Sequence, residues 1–405
     1  MEDRKRTIIV EGRRFLPHSY SLVSHYISLE LLTRQHVALY YCDLESLADG
    51  KHVRHLLGST PDAQCRNIPA PLAGMPTDAT LRLRYPFDLS TSDSTRTAIF
   101  ATCEYGSVVA ADICGGQSLV TSMERSDLFI VTPSNWSREG FLASGALPDR
   151  IEVIPLGFDP HIFHPVDTSR RAQLRKRAGV QDQFVFLSVG AMTGNKNVPL
   201  LLRAFAAVAA KHPRVLLVLK GLDRQYDSAR AICEATKALS VTEMARIQPR
   251  IRYVGQAVCA AELAMLYQVA DTYVTPYAAE GFNLPALEAA ASGLPLICTA
   301  GGPTDEFTTA EFALYVEAKE RSVWRDGCER RLLWADLDHL ICCMETAISN
   351  SEFQCVGRIA ASAFVHPRFQ WRDTVDALLS LLFDEERSAH LSLRVPIACQ
   401  ARMTN

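Results

Sequence analysis

The chain has 405 residues, a length that suits two or three domains with a sizeable core. Its hydrophobic residues (48%) and charged residues (21%) are near the globular average, which excludes a disordered or fibrous protein. The net charge of −3 argues against a general nucleic-acid binder, because such proteins usually present a basic face.

The first 160 residues alternate short apolar runs with amphipathic stretches. A helix is predicted at Leu22–Thr33. Strands are predicted at Thr7–Val10, Val37–Cys42, Ala98–Thr102, Leu128–Val131 and Ile151–Pro155. The alternation is then interrupted by Ile154–Pro165, which holds three prolines and one glycine and is typical of an interdomain linker.

The same alternation resumes after the linker. Strands are predicted at Phe184–Val189, Val215–Leu219, Ile251–Val254, Thr272–Val274 and Leu294–Thr299, and helices at Ser169–Ala178, Val198–Lys211, Ala260–Val269 and Thr374–Phe383. Strands that alternate with helices of this length predict parallel sheets of the doubly wound α/β class. We therefore expect two Rossmann-like α/β domains that face a central cleft.

The predicted domains are residues 1–160 and 161–366. A final helix within 367–387 either closes the second domain or packs back on the first, and 388–405 is expected to be a loosely ordered tail. No apolar run approaches the ~20 residues that span a bilayer, and the first residues lack the apolar core of a signal peptide. We expect a cytoplasmic protein without a transmembrane segment or a nucleic-acid partner.

The turn after the strand Phe184–Val189 has the composition of an anion site. Gly190 and Gly194 let the backbone turn closely, and Lys196 stands just before a helix opened by Asn197. Free N–H groups and a lysine at a helix start favour a bound anion, whereas the alternative is a solvated lysine beside an asparagine cap. No GxGxxG or Walker-A pattern is present, so the sequence supports neither a nicotinamide enzyme nor a P-loop NTPase.

A second junction carries Glu280 and Glu288, eight positions apart around Gly281 and Pro285. Pro285 suits a first helical turn, and Gly293 suits the end of that helix. Glu280 is therefore expected in the loop above a strand, and Glu288 about one turn inside the helix. Rigidly held carboxylates can bind two sugars, with the N–H groups between them facing anionic oxygens. The alternative is that Glu280 lies on the surface and that Glu288 stands near the helix start only because a negative charge there interacts favourably with the helix dipole.

The stretch EGFNLPALE at 280–288, with AAASGLP after it, resembles the E-x7-E signature of retaining glycosyltransferases with the GT-B fold, especially family 4. Further blocks in the family's order extend the resemblance: 131–134 (VTPS), 153–165 (VIPLGFDPHIFHP), 190–196, 200–205, 253–255, 263–277 and 301–303. The resemblance covers roughly residues 130–310 well and the first 120 residues only loosely.

By this resemblance, the second domain binds a nucleoside-diphosphate sugar and the first domain binds the acceptor. Glu288 matches the glutamate that holds the ribose hydroxyls, Glu280 the one that contacts the donor sugar, and Lys196 the lysine that neutralises the departing diphosphate. The other implied donor-binding residues are Gly190, Gly281, Phe282, Asn283 and Leu284. The implied activity is a retaining hexosyl or related transfer by a front-face mechanism, without a cofactor, to a hydroxyl of a small-molecule, glycan or protein acceptor.

One position departs from the family pattern. The family usually places an arginine after the glycine that matches Gly190, and this chain has Ala191. Lys220 follows the strand Val215–Leu219 and faces the same crevice, because ligands bind at the carboxyl ends of parallel strands. We hypothesise that Lys220 supplies the missing cation; the alternative is a lysine in solvent. Ala191 also keeps open a catalytically silent sugar-nucleotide-binding protein, and a GT-B-type sugar-nucleotide epimerase is a further alternative.

The first domain offers weaker candidates. Gly12 lies where the family has a glycine-rich loop, and with His18 and the expected helix cap Ser19 it is a candidate for contact with donor phosphate or acceptor. His18 is expected to be a loop histidine rather than a catalytic one. Glu104, with Tyr105 beside it, follows a strand and is a candidate base at the acceptor. The catalytic candidates are therefore Glu280, Lys196 and Glu104.

Metal binding has little support in the sequence. The 12 cysteines form no CxxC pair, which is typical of reduced thiols rather than of a zinc site or a disulfide framework. Asp336-Leu337-Asp338 has the letters of the DxD metal motif of the other glycosyltransferase fold class. Its place at the start of an amphipathic helix predicts a helix cap instead, and we expect no essential metal.

Overall fold

The first half of the chain forms a parallel sheet of six strands in the order β2-β1-β3-β4-β5-β6. The structure, a computed structural model, describes residues 4–44, 56–325 and 328–383. The strands are β1 (Arg6–Gly12), β2 (Val37–Asp43), β3 (Ala79–Leu83), β4 (Arg96–Phe100), β5 (Phe129–Thr132) and β6 (Ile151–Val153). The helices are α1 (Ser19–Leu32), α2 (Ser59–Arg66), α3 (Leu119–Glu124) and α4 (Asn135–Ala143).

The second half forms another six-stranded parallel sheet, in the order β12-β11-β10-β7-β8-β9. Its strands are β7 (Phe184–Val189), β8 (Val215–Lys220), β9 (Ile251–Val254), β10 (Thr272–Thr275), β11 (Leu296–Thr299) and β12 (Ala313–Val316). The helices are α5 (Thr168–Ala178), α6 (Val198–Lys211), α7 (Asp223–Tyr226), α8 (Ser228–Thr236), α9 (Val241–Ile247), α10 (Ala260–Val269), α11 (Leu284–Ala291), α12 (Leu337–Ser349), α13 (Ser351–Val365) and α14 (Trp371–Phe383). The predicted fold class of two Rossmann-like sheets is confirmed.

All ten predicted strands are present, but the sequence reasoning missed four others among the residues that the structure describes. The missed β3 is fully buried in the first sheet although it contains Arg82, whose Nε donates a hydrogen bond to Glu11 Oε2 at 2.6 Å. The missed β12 has only four residues. An antiparallel hairpin, β13 (Ala318–Arg325) with β14 (Cys328–Ala335), was also unforeseen because both strands are rich in charge.

Helix α14 packs against the first domain. The rings of Trp371 and Tyr26 stack at 5.1 Å between centroids and 12° between planes. Arg34 Nη2 lies 2.9 Å from Asp376 Oδ1, which ties α1 to the same helix. Residues 384–405, which include the end of the predicted final segment and the predicted tail, lie outside the described residues.

Three smaller predictions concern the DxD letters at 336–338, the cysteines and the absence of a membrane-spanning helix. Asp336 is the N-cap of α12 and accepts a hydrogen bond from His339 N at 2.8 Å, so the helix-cap interpretation of the DxD letters is confirmed. The cysteines within the described residues are free thiols. None of the helices in that part of the chain combines the length and the apolar character that crossing a bilayer requires.

Candidate active site

A cavity of about 460 Å³ lies between the two domains, at the carboxyl ends of the strands. Apart from Gly12, every predicted site residue lines it: His18, Ser19, Glu104, Tyr105, Gly190, Lys196, Lys220, Glu280, Gly281, Phe282, Asn283, Leu284 and Glu288. Gly12 is instead packed inside the first domain, where an added Cβ would lie 2.8 Å from Tyr41 Oη. Gly12 therefore has a packing role in this structure, and its contact with a ligand stays a prediction.

Glu280 and Lys196 form an ion pair at the wall of this cavity. The carboxylate side chain is 6% exposed and the lysine side chain 18% exposed, so the pair is largely shielded from solvent. Gly190 allows this arrangement, because a Cβ there would lie only 3.1 Å from Lys196 Cε. The ion pair holds each charged group in place with the other.

Glu288 lies about one turn inside α11 and is buried. Asn283 begins this helix in the left-handed conformation (φ 79°) and accepts a hydrogen bond from Ala286 N at 3.3 Å. Tyr267 Oη donates a hydrogen bond to Glu288 Oε2 at 2.9 Å. Burial raises the pKa of Glu288 to about 8, against the opposing effect of the Tyr267 hydrogen bond. The helix therefore holds a carboxyl group that can gain or lose a proton near neutral pH.

The backbone between the two glutamates meets the first domain. Ser134 Oγ donates a hydrogen bond to Gly281 O at 2.6 Å, and an added Cβ on Gly281 would lie 2.8 Å from Thr102 Cβ. Phe282 packs on Phe307 with 5.2 Å between ring centroids. This loop is thus fixed by contacts on both sides of the cleft.

Glu104 reaches the same place from the first domain. Its Oε2 accepts a hydrogen bond from Asn195 Nδ2 at 3.1 Å. Burial and the nearby negative charge of Glu280 raise the pKa of Glu104 to about 7, while Lys196 acts in the opposite direction. The position and the raised pKa are those expected of a group that exchanges a proton at neutral pH.

Lys220 is the last residue of β8 and lines the cavity. Its Nζ donates a hydrogen bond to Gly221 O. Burial lowers the pKa of Lys220 to about 8, with Asp223 acting in the opposite direction. At Ala191, where the family has an arginine, the backbone oxygen accepts a hydrogen bond from Ser228 Oγ at 2.7 Å.

The start of α1 differs from the expectation. His18 is the N-cap, and Ser19 is the first helical residue, so the prediction of Ser19 as the cap was wrong. His18 Nδ1 accepts the hydrogen bond from Ser21 N at 3.4 Å. Burial and the charge of Arg13 lower the pKa of His18 to about 4, which keeps the ring neutral and able to accept that bond.

A second cavity, of about 600 Å³, adjoins the first on the side of the first domain. Glu104 and Tyr105 line both cavities. The sequence reasoning missed the residues that give the second cavity its polarity: Arg13, Arg84, Tyr85, Asp112, Tyr226 and Arg330. It also missed Asn195 and Tyr267, since neither stands in a spacing that distinguishes a site residue from a loop or core residue.

The two cavities meet at Glu104, which lines both of them, and they differ in their other polar side chains. The first cavity offers three carboxyl groups and two lysines, which suit a ligand that carries both hydroxyls and negative charge. The second offers arginine and tyrosine side chains.

Comparison with known proteins agrees with this geometry. The profile of the family described as "Glycosyl transferases group 1" matches residues 169–325. A D-inositol 3-phosphate glycosyltransferase of Stackebrandtia nassauensis is 28% identical over 247 residues, which cover 58% of this chain and 49% of that protein. One from Mycobacterium bovis is 27% identical over 259 residues, which cover 64% of this chain and 48% of that protein. The chain thus spans about half the length of the curated relatives it matches.

Solved structures resemble the whole chain. Anabaena Alr3699/HepE, solved in complex with UDP-glucose, has a TM-score of 0.68 at 14% identity and covers 93% of this chain and 99% of its own. Sucrose-phosphate synthase from Thermosynechococcus elongatus has a TM-score of 0.68 at 16% identity and covers 96% of this chain and 100% of its own. Residues 169–325 in the second domain thus resemble the glycosyl transferases group 1 family, and the chain has the GT-B fold of these structural neighbours.

Proposed function

We propose that the protein is a cytoplasmic, metal-independent glycosyltransferase of the retaining, family 4 type. It moves a sugar from a nucleoside diphosphate to an acceptor hydroxyl. The observation that carries the proposal is the placement of the Lys196–Glu280 ion pair and Glu288 in one interdomain cavity. A segment that served only the core would need neither carboxyl group, because burying a charged side chain is unfavourable and an ion pair offsets the cost only in part.

The donor occupies the first cavity in this proposal. Glu288 accepts hydrogen bonds from the ribose hydroxyls, and Glu280 accepts them from the sugar that is transferred. Lys196 and Lys220 neutralise the diphosphate, whose negative charge grows as it leaves. Two lysines at this point also make a metal ion unnecessary for charge neutralisation. Complexes of the structural neighbour HepE with UDP and with UDP-glucose support a donor of this class.

The acceptor enters through the second cavity. Its hydroxyl oxygen forms a bond to the anomeric carbon of the sugar on the face from which the diphosphate departs, while the bond from that carbon to the phosphate oxygen breaks. The hydroxyl proton passes to the departing phosphate oxygen or to the ionised form of Glu104. The name of the relatives, D-inositol 3-phosphate glycosyltransferase, and the arginines of the second cavity support a small phosphorylated polyol as one acceptor to test.

A catalytically silent binder is the second candidate, and Ala191 is the observation that favours it. A thermal-shift panel of UDP-, GDP-, ADP- and TDP-sugars tests donor binding first. A true ligand at ~100 times its dissociation constant stabilises the folded state by about 2.7 kcal/mol. Transfer and donor hydrolysis are then measured for the wild type and for Glu280→Ala, with EDTA added in parallel.

We expect transfer by the wild type with and without EDTA, and its loss in Glu280→Ala at unchanged circular dichroism. The exposed Glu139→Ala is the matched control on the surface. Binding without transfer or hydrolysis would identify a silent binder, and release of a free 2-epimer without acceptor would identify an epimerase. A loss of activity in EDTA would contradict the metal-independent mechanism.

A further inference from the structure

The outer edge of strand β14 contacts the loops that carry Glu104 and Glu280. Arg331 N donates a hydrogen bond to Tyr105 O of the first domain at 2.8 Å. Leu333 N donates one to Ala278 O of the second domain, also at 2.8 Å. In an antiparallel pair, alternate residues direct their N–H groups to the same edge. One short strand edge therefore holds both loops.

These contacts belong to a hydrogen-bond network that links β14 to both loops and the two loops to each other. Tyr105 is the neighbour of Glu104, whose carboxylate accepts the hydrogen bond from Asn195 Nδ2 at 3.1 Å. Asn195 O accepts a hydrogen bond from Ala278 N at 2.7 Å. Ala278 in turn is held by Leu333 of β14. A change in the position of β14 must therefore change the relative position of the two loops.

Side-chain packing strengthens the contact between β14 and the first domain. The guanidinium of Arg331 lies 5.0 Å from the centroid of the Trp136 ring, and Trp136 Nε1 donates a hydrogen bond to Glu104 O at 3.0 Å. Gly106 is in close contact with Arg331, since an added Cβ would lie 2.9 Å from Arg331 Cβ. Arg330 Nη1 donates a further hydrogen bond to Ser107 O at 2.9 Å.

We propose that β14 is a positioning strand, which sets the separation of Glu104 and Glu280 through Gly106 and Arg331. Neither positioning residue is assigned a contact with donor or acceptor. The inference concerns the geometry of the proposed active site and rests on the proposed function only for its effect on turnover. A hairpin that merely joined the domains would stabilise the fold without fixing the environment of the Glu104 carboxylate.

The protonation of Glu104 reports this separation directly. The titratable groups around it are Glu280 and Lys196 from the second domain, Cys103, Asp112, Tyr20 and Tyr85 from the first, and Tyr226 from α7. The pKa of Glu104 is raised to about 7 by burial and by Glu280. Moving the two loops apart admits water and separates the carboxylates, and both changes lower this pKa. Lys196 moves away at the same time, which raises the pKa, but its effect is smaller than that of burial or of Glu280.

Gly106→Ala is the test, and Gly115→Ala is its matched control. Both glycines have positive φ, 66° and 81°, so both substitutions impose similar backbone strain. Only at Gly106 does the new methyl group collide with Arg331, because nothing lies within 4 Å of a Cβ at Gly115. The Glu104 titration is followed by NMR with ¹³C-labelled glutamate in the ligand-free protein, with Glu104→Gln to assign the signal.

We expect the pKa of Glu104 to fall by about one unit or more in Gly106→Ala, and to stay at its wild-type value in Gly115→Ala. In the same variant, kcat should fall at least about tenfold while the donor Kd changes less than about twofold, since the donor contacts lie in the second domain. The same Glu104 pKa in Gly106→Ala and Gly115→Ala would overturn the proposal.

If Gly106→Ala does not fold, Arg331→Ala replaces it. This substitution removes the packing on Trp136 but keeps the amide that bonds Tyr105, so a smaller fall in the Glu104 pKa is expected. An unchanged titration would refute the role of Arg331. The NMR titration needs no substrate. A wild type that transfers no sugar would refute the proposed function, but the pKa of Glu104 in the variants would still test the role of β14.

Discussion

Asn195 of the second domain donates a hydrogen bond to Glu104 of the first domain at 3.1 Å. The two residues are 91 positions apart in the chain, and nothing in the local pattern of either one links them. Their contact brings a carboxyl group of the first domain next to the Lys196–Glu280 pair of the second domain. The site is therefore made by the meeting of the two sheets.

Removing the charge of Glu104 should alter the pH dependence of stability. The folded-state pKa of Glu104 is raised from 4.5 to about 7, so the folded protein binds more protons than the unfolded chain between these values. The wild type should therefore lose stability relative to Glu104→Gln as the pH rises through this window, by on the order of 3 kcal/mol. Urea unfolding of both proteins between pH 5 and pH 8 measures the difference. The surface variant Glu139→Gln is the control, and a difference that does not vary with pH would contradict the prediction.

Lys196→Met and Lys220→Met should damage the reaction to a similar degree. Each substitution removes a positive charge that faces the proposed diphosphate, which lowers kcat by on the order of 10²-fold. Steady-state kinetics with the identified donor measure the fall in kcat. The control is Lys211→Met, because Lys211 is exposed and pairs with Glu345. Because the pKa of Lys220 is lowered to about 8, donor binding should also weaken above this pH in the wild type and not in Lys220→Met. A fully active Lys220→Met would remove Lys220 from the mechanism.

Donor binding should release protons at pH 7. The pKa of Glu288 is raised to about 8, so much of this carboxyl is protonated in the free protein. Ribose hydroxyls that donate to the ionised form lower its pKa, and binding then releases up to about one proton and strengthens as the pH rises toward 8. Calorimetry in buffers of different ionisation enthalpy counts the protons. Glu288→Gln should weaken binding by about tenfold or more and abolish the release; an unchanged release would show that another group is responsible.

Gly281→Ala should separate the domains at the active site. The new Cβ would lie 2.8 Å from Thr102 Cβ, so the loop after Glu280 has to move away from the first domain. We expect kcat to fall at least about tenfold, since small misplacements of reacting groups slow a reaction strongly. Gly194→Ala is a control in the same cavity region, because nothing lies within 4 Å of a Cβ there. Equal kinetics for the two variants would show that the contact with Thr102 is unimportant.

The sequence alone determined much of the fold. Each predicted strand was a short apolar run. The central strands such as β10 and β11 are buried because strands of parallel sheets are covered by helices on both faces, whereas the edge strand β9 is only partly covered. The order of runs and helices sufficed for two Rossmann-like sheets, and Pro285 with Gly293 located α11. The placement of Glu280, Lys196 and Glu288 in one cavity also followed from local rules, since all three stand near helix starts at the carboxyl ends of strands.

Only the tertiary structure decided how the two halves act on each other. The bond between Asn195 and Glu104, the burial of Gly12, the cap at His18 and the docking of β14 all depend on residues distant in the chain. Periodicity reports which face of an element is apolar, but it carries no information on which distant element covers that face. The pKa values of Glu104 and Glu288 have the same origin, because burial raises them and burial exists only once the domains and helices are assembled.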